Sequence, residues 1–346
     1  MQILLSRDIA PTFRDYFSKR ALGDDRVHLL GSSIGNFKST EAFSELLGDR
    51  ESFGGEPLTI VQPLIGDGTQ SVNDLAMQLL LTVRTAKRYG AGPIWVEMPS
   101  IAFDRQDRSL DGRMTSIGID DLAGMLKEAG VVGVSTMEIH SEAALGYLHE
   151  HFGKENVFNL DPTDIFQADI QARKDIDVSN SVVGGPDKGA NARRDAMAVA
   201  LGVSKFGVEK EHEGVNTTRV TDFKGDVSGK QSITVDDMVD TGGTATNSQK
   251  ELADQGALSR HFYTARPILS GDALENMFTA KASDGSHAVT DMTFTDVIHI
   301  GGKLSALEAQ YGHDAVHERV RIVPAGETFF DHLVDDIASH PDMEVT

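Results

Sequence analysis

Short apolar runs rich in β-branched residues alternate along this chain with longer stretches whose apolar positions recur every three or four residues. The runs at 2–5, 58–62, 94–98 and 132–137 predict strands in the first half. Between them, 72–89 keeps helical spacing and ends at Gly90, and 118–128 does the same before Gly130. The second half repeats this style, with strands expected at 181–184, 205–208, 232–235, 261–264 and 297–300, and with the clearest helices at 193–201 and 245–254. Such alternation predicts an α/β fold. A boundary is expected near Asn159-Leu160-Asp161-Pro162, after a helical stretch at 143–151. No low-complexity linker marks it.

Composition adjusts this picture in a few places. At 346 residues the chain exceeds the usual compact domain, so two domains are expected: 1–158, 159–325, and a tail at 326–346. With no cysteine there is neither a disulfide framework nor a thiolate metal site. No apolar run is long enough for a bilayer and no secretory leader is visible, so the expectation is a soluble, cytoplasmic protein without membrane partners. A formal charge of −21 argues against nucleic acid as a partner. The same charge fits either an ordinary solvated acidic surface or a salt-rich habitat.

The stretch that carries chemistry is Ser232-Ile233-Thr234-Val235-Asp236-Asp237-Met238-Val239-Asp240-Thr241-Gly242-Gly243-Thr244. Ile233 and Val235 mark a buried strand, and 245–252 suits a helix opening with Thr241 or Thr244 near its cap. Glycines at 242 and 243 let the backbone close on an anion, where the helix dipole adds to the attraction. Asp236 and Asp237, leaving the strand just before the turn, can accept from two neighbouring sugar hydroxyls. The pattern points to a ribose phosphate. Solvated aspartates beside an ordinary turn are the alternative for a bare DTGGT.

This run resembles the signature loop of phosphoribosyl diphosphate (PRPP) binding proteins and, among them, the ribose-phosphate diphosphokinases. Further stretches are similar to that family in order and rough spacing: Ile60–Pro63 with 71–80, Pro99 with 103–108, Thr136-Met137-Glu138-Ile139-His140-Ser141, Gly184-Gly185-Pro186-Asp187-Lys188-Gly189, 225–230 and 263–271. The resemblance implies two phosphoribosyltransferase-like domains, each a mainly parallel sheet flanked by helices, with a C-terminal helix near 328–339 returning to the first. It implies transfer of the β,γ-diphosphoryl group of ATP to the 1-hydroxyl of ribose 5-phosphate, with Mg²⁺ as cofactor, in a homo-oligomer. Under it, Asp236 and Asp237 hold the ribose hydroxyls and Asp240, Thr241, Gly242, Gly243 and Thr244 hold the 5-phosphate. Arg105, Gln106, Asp107 and His140 bind ATP, His140 and Asp187 serve the metal, and Lys210 with His212 acts on the transferring group.

Three departures from the family pattern stand out. His212 occupies the position where an arginine is expected, among Glu209, Glu211 and Glu213. Imidazole lacks the bidentate fork, and its charge depends on pH. The adenine loop reads Ile34-Gly35-Asn36-Phe37-Lys38-Ser39-Thr40-Glu41, and Ala265-Arg266-Pro267 stands where the family has Thr-His-Gly. These leave two alternatives: a weak or silent homologue that binds ribose phosphates or nucleotides and regulates a partner, and a transferase that consumes PRPP. The matches in the first half argue against the transferase.

Overall fold

The computed structural model describes residues 1–346 except 49–52, 67–68, 111, 187, 215–216 and 344–346, with the backbone alone at 188, 208–214, 217–224 and 341. The chain divides into two compact units, Met1–Leu160 with Val297–His299 and Pro324–Thr346, and Asp161–Asp296 with Ile300–Val323.

In chain order the first unit begins β1 (Gln2–Leu5), α1 (Pro11–Ala21), β2 (His28–Asn36), β3 (Ala42–Leu47), β4 (Leu58–Val61) and α2 (Val72–Arg88). It continues with β5 (Ile94–Met98), α3 (Gly118–Ala129), β6 (Val131–Met137), α4 (Glu142–Phe152) and β7 (Val157–Leu160). Among the described residues these strands form a seven-stranded sheet in the order β3-β2-β1-β4-β5-β6-β7, parallel except for the β2–β3 hairpin. Helix α2 starts at a capping box: Ser71 Oγ accepts from the Asp74 N–H, and Asp74 Oδ2 accepts from the Ser71 N–H at 2.8 Å. Its apolar face buries Leu75, Leu79 and Val83 against Ile60, Val96 and Val134 of the sheet and Leu122 and Leu126 of α3. Burial of this kind contributes roughly 1.5–3 kcal/mol per large side chain.

The second unit comprises α5 (Thr163–Ala172), β8 (Ser181–Gly184), α6 (Asn191–Leu201), β9 (Ser204–Lys205), β10 (Gly207–Gly214), β11 (Thr217–Lys224), β12 (Gln231–Val239) and α7 (Gly243–Asp254). After these come β13 (Ser259–Pro267), α8 (Ala273–Thr279), β14 (Asp291–Thr295), α9 (Gly301–Tyr311), α10 (His313–Arg319) and β15 (Val320–Val323). Its described strands form a six-stranded parallel sheet, β15-β14-β13-β12-β8-β9, with β10 and β11 as a separate antiparallel ribbon. The α/β expectation is met. The strand expected at 297–300 is not one: β14 lies earlier, and Val297, Ile298 and Ile300 are buried in the turn before α9. The true strand was hidden by Asp291, whose charge is satisfied inside the unit by Arg173 at 2.8 Å and by His261 at 2.7 Å. The strand expected at 205–208 is divided, with β9 ending at Lys205 and β10 beginning at Gly207.

The last segment, α11 (Gly326–His332) followed by a π-helical turn at Leu333–Ile337, belongs to the first unit. Phe13 and Phe17 of α1 stack on each other with centroids 5.0 Å apart; Phe329 packs tilted on Phe13 at 5.5 Å, and Phe330 meets Phe17 edge to face at 5.3 Å. Behind them a buried relay runs from Trp95 Nε1 to Ser135 Oγ, on to His332 Nε2, and from His332 Nδ1 to Asp336 Oδ2, each step 2.8 Å. The indole can only donate, so the Ser135 hydroxyl donates to Nε2 and the ring proton sits on Nδ1. A serine, histidine and aspartate in line suggest a hydrolase, but Ser135 is fully buried and already accepts from the indole. The relay is therefore a structural tie between the sheet and the C-terminal segment.

Candidate functional site

Strand β12 sits inside the second sheet between β13 and β8, and its carboxyl end carries the acidic pair. In open parallel sheets this is the end at which ligands bind. Asp236 and Asp237 still belong to the strand, which runs to Val239, and do not leave it as the sequence suggested. The chain then turns through Asp240, Thr241 and Gly242 into α7. Gly242 occupies the N-cap position expected for a threonine; its φ is +74°, and a Cβ there would approach Met277 Cγ of α8 to 2.9 Å. Only glycine meets both demands. The first helical bond, Thr246 N–H to Gly242 O at 2.8 Å, leaves Gly243, Thr244 and Ala245 as the opening turn, with N–H groups directed out of the positive end. Thr241, Gly243 and Thr244 are exposed, so an anion can reach this turn.

The turn rests on the segment after β13. Leu269 N–H donates to Val239 O and Ser270 N–H to Asp240 O, both at 2.9 Å, and Leu269 adopts a left-handed φ of +52°. A non-glycine residue held in that region costs of order 1 kcal/mol or more, a strain that concentrates at ligand sites.

The two aspartates have different surroundings. Asp236 is half-buried, and its Oδ1 accepts from the Asp237 N–H at 3.0 Å. Asp237 is buried, with Arg266 of β13 at 3.5 Å and Arg193 of α6 at 3.8 Å from its Oδ2. The approach of Arg193 to this pair depends on the packing of α6 against β12, which no spacing within α6 reveals.

Asp187 of the expected pyrophosphate loop lies outside the described residues. The loop leaves β8 at Gly184, where a Cβ would collide with the Phe206 ring at 2.1 Å. Lys210 and His212 are strand residues of β10, paired with Val220 and Thr218 of β11. This stretch is thus half of an antiparallel ribbon, with register shifts between Glu209 and Lys210 and between His212 and Gly214.

In the first unit, the residues after β5 and after β6 are knitted together by two aspartates. Asp104 Oδ2 accepts from the His140 N–H at 3.0 Å, and Asp107 Oδ2 accepts from Ser141 Oγ at 2.6 Å. Ser141 in turn caps α4 by accepting from the Ala144 N–H. Phe103, in the loop after β5, and Glu138, the first residue after β6, have φ of +62° and +53°. This frame leaves Arg105, Gln106 and His140 exposed and buries Asp107. The altered adenine loop is the β2–β3 hairpin, whose turn stacks the exposed Phe37 on Phe43 with centroids 4.8 Å apart.

A parallel α/β unit whose interior strand ends in an acidic pair, a glycine turn and a helix N-terminus defines the phosphoribosyltransferase-like class. Comparison with known proteins narrows this. Residues 7–130 match the family described as the N-terminal domain of ribose phosphate pyrophosphokinase. A ribose-phosphate pyrophosphokinase of Bordetella parapertussis is 31% identical over 252 residues, covering 73% of this chain and 76% of that protein. Its counterpart in Helicobacter hepaticus is 32% identical over 249 residues, covering 72% and 76%. The crystal structure of phosphoribosylpyrophosphate synthetase from Mycobacterium smegmatis matches in fold, with a TM-score of 0.76 over 98% of this chain and 99% of that one at 19% identity. The chain belongs to the ribose-phosphate pyrophosphokinase family.

Proposed function

We propose that the chain transfers the β,γ-diphosphoryl group of ATP to the 1-hydroxyl of ribose 5-phosphate, producing PRPP and AMP for nucleotide biosynthesis. The observation that carries this reading is the β12–α7 turn, an exposed helix N-terminus preceded by two aspartates. Its N–H groups hold the 5-phosphate from Asp240 through Thr244, while half-buried Asp236 accepts from a ribose hydroxyl. Asp237, beside two arginines, accepts from the second hydroxyl and keeps its place through those cations. Holding the sugar by both ends fixes the 1-hydroxyl for in-line attack, which is most of what phosphoryl-type transfer asks of a protein.

On the donor side, exposed Arg105 meets phosphate oxygens or stacks on the base, and Gln106 reads the adenine edge. Asp107, already accepting from Ser141, acts by holding this loop. Lys210 and His212 supply positive charge to the transferring group. Mg²⁺ fits exposed His140, together with Asp187, because it takes few protein ligands and fills its shell with phosphate oxygens and water. When bound it neutralises phosphate charge. No covalent enzyme intermediate is required. A homo-oligomer and a cytoplasmic location complete the proposal.

The test is to supply purified protein with Mg²⁺, ATP and ribose 5-phosphate and to quantify AMP and PRPP beside a Lys210→Ala variant. Equal amounts of both products, lost in the variant, are expected. If His212 provides the charge, kcat falls as rising pH neutralises the imidazole, and His212→Arg flattens the profile. Ligand binding without product would instead favour a regulatory homologue.

A further inference from the structure

The helical corner between β14 and β15 carries a cluster that the ribose-phosphate chemistry does not use. Helix α9 is stopped by Gly312, whose φ is +88° and whose N–H donates to Glu308 O at 2.8 Å; α10 begins at the next residue. His317 follows His313 by four positions, which places both imidazoles on one side of α10. Their rings stack with centroids 4.2 Å apart and planes at 28°. Glu308 reaches across from the last turns of α9, its Oε1 2.6 Å from His317 Nε2. One ligand atom from each of the three residues lies within 4.8 Å of the others.

We propose that Glu308, His313 and His317 form a surface site for a transition-metal dication of the Zn²⁺ class. Two imidazoles and one carboxylate are a donor set for such ions, with water completing a tetrahedron. The same set is poorer for Mg²⁺, which prefers oxygen and would here have to take two of its three protein ligands as nitrogen. The Glu308–His317 contact now holds a proton, and the metal takes that proton's place. The contact opens from 2.6 Å to the roughly 3.3 Å between ligands bound at about 2.0–2.1 Å around a tetrahedral ion. In a neutral ring that proton moves to Nδ1, and because only neutral imidazole can ligate, binding weakens as pH falls. Two further features favour a cation here. The His313 Nδ1 lies 3.3 Å from Asp314 Oδ1, a contact that orients the ring, and Glu308 sits at the negative end of the α9 dipole. Once filled, the site links α9 to α10 across the Gly312 break.

The experiment is calorimetric titration of the metal-stripped full chain with ZnCl₂ in excess MgCl₂, comparing wild type, His313→Ala/His317→Ala, Glu308→Gln and an exposed-histidine control, His28→Ala. Wild type and control should bind about one equivalent at this site, and each cluster variant should lose at least about tenfold in affinity. Circular dichroism of the metal-free proteins checks that all four are folded, and Glu308→Gln, which keeps the shape of the side chain, decides the matter should the double variant be unstable. Equal Zn²⁺ affinity in wild type and the cluster variants, no saturable binding, or displacement by Mg²⁺ overturns the proposal.

Discussion

Single residues decide more here than their neighbours in sequence suggest. Gly242 is one: alanine in its place must adopt a left-handed conformation, costing about 1–2 kcal/mol, and must displace Met277. Gly242→Ala is expected to raise KM for ribose 5-phosphate at least tenfold while leaving KM for ATP nearly unchanged, as initial rates will tell. Glu97 is another. It lies fully buried on β5, and among the described residues neither carboxyl oxygen has a hydrogen-bond partner. Burial pushes its pKa well above the usual carboxylate range. The folded state therefore binds a proton that the unfolded state gives up above the ordinary value, so stability is complete in acid and declines as pH rises toward the raised pKa. Glu97→Gln should match wild type near pH 4.5 and become progressively more stable than it as pH rises toward the raised pKa, by about 1.4 kcal/mol for each pH unit spanned by the shift. Urea midpoints that differ by a constant amount across that range would sink this account. The acidic pair and the glycines were legible in the sequence because their chemistry is local. Arg193 and Arg266 were not assigned to the pair because their relation to Asp237 depends on packing between elements.

At the scale of elements, sequence patterning found best the strand buried throughout, β5, and the helices with a regular buried stripe, α2 and α3. It missed α1, the β2–β3 hairpin and β7, whose exposed or polar residues break the period, and it misplaced β14, whose first residue is a buried aspartate. The C-terminal helix was foreseen only through family resemblance, since nothing within 326–337 names its docking surface. His332 supplies the specific part of that docking through Ser135 and Asp336. Burial lowers its pKa below the usual imidazole value, and the Asp336 carboxylate only partly offsets this. A histidine buried in its neutral form contributes stability that is complete above the unfolded pKa and lost as pH falls through it. His332→Ala is expected to cost about 2–3 kcal/mol at pH 7.5 and less at pH 5.5, where the native ring is itself penalised. Chemical denaturation at the two values reads this out, and a larger loss in acid would contradict it.

For the molecule as a whole, length and alternation were enough to indicate α/β architecture in two parts, while the order of strands within each sheet was not written in any local pattern. The net charge of −21 sets the protein against its own anionic substrates at long range, so the cations near the ligand ends of the sheets act locally and against the general field. The placement of α11 has a temporal consequence. During synthesis, Phe13 and Phe17 leave the ribosome some three hundred residues before Phe329 and Phe330, and every residue of the second unit emerges in between. The unit begun first is thus the one completed last, its aromatic face uncovered while the later-made sheet closes, and a nascent chain in that state is a natural client for chaperones. Pulse proteolysis of stalled nascent chains should find 161–323 resistant while 1–160 is still cleaved, with protection of the earlier segment arriving only once the final helix is free.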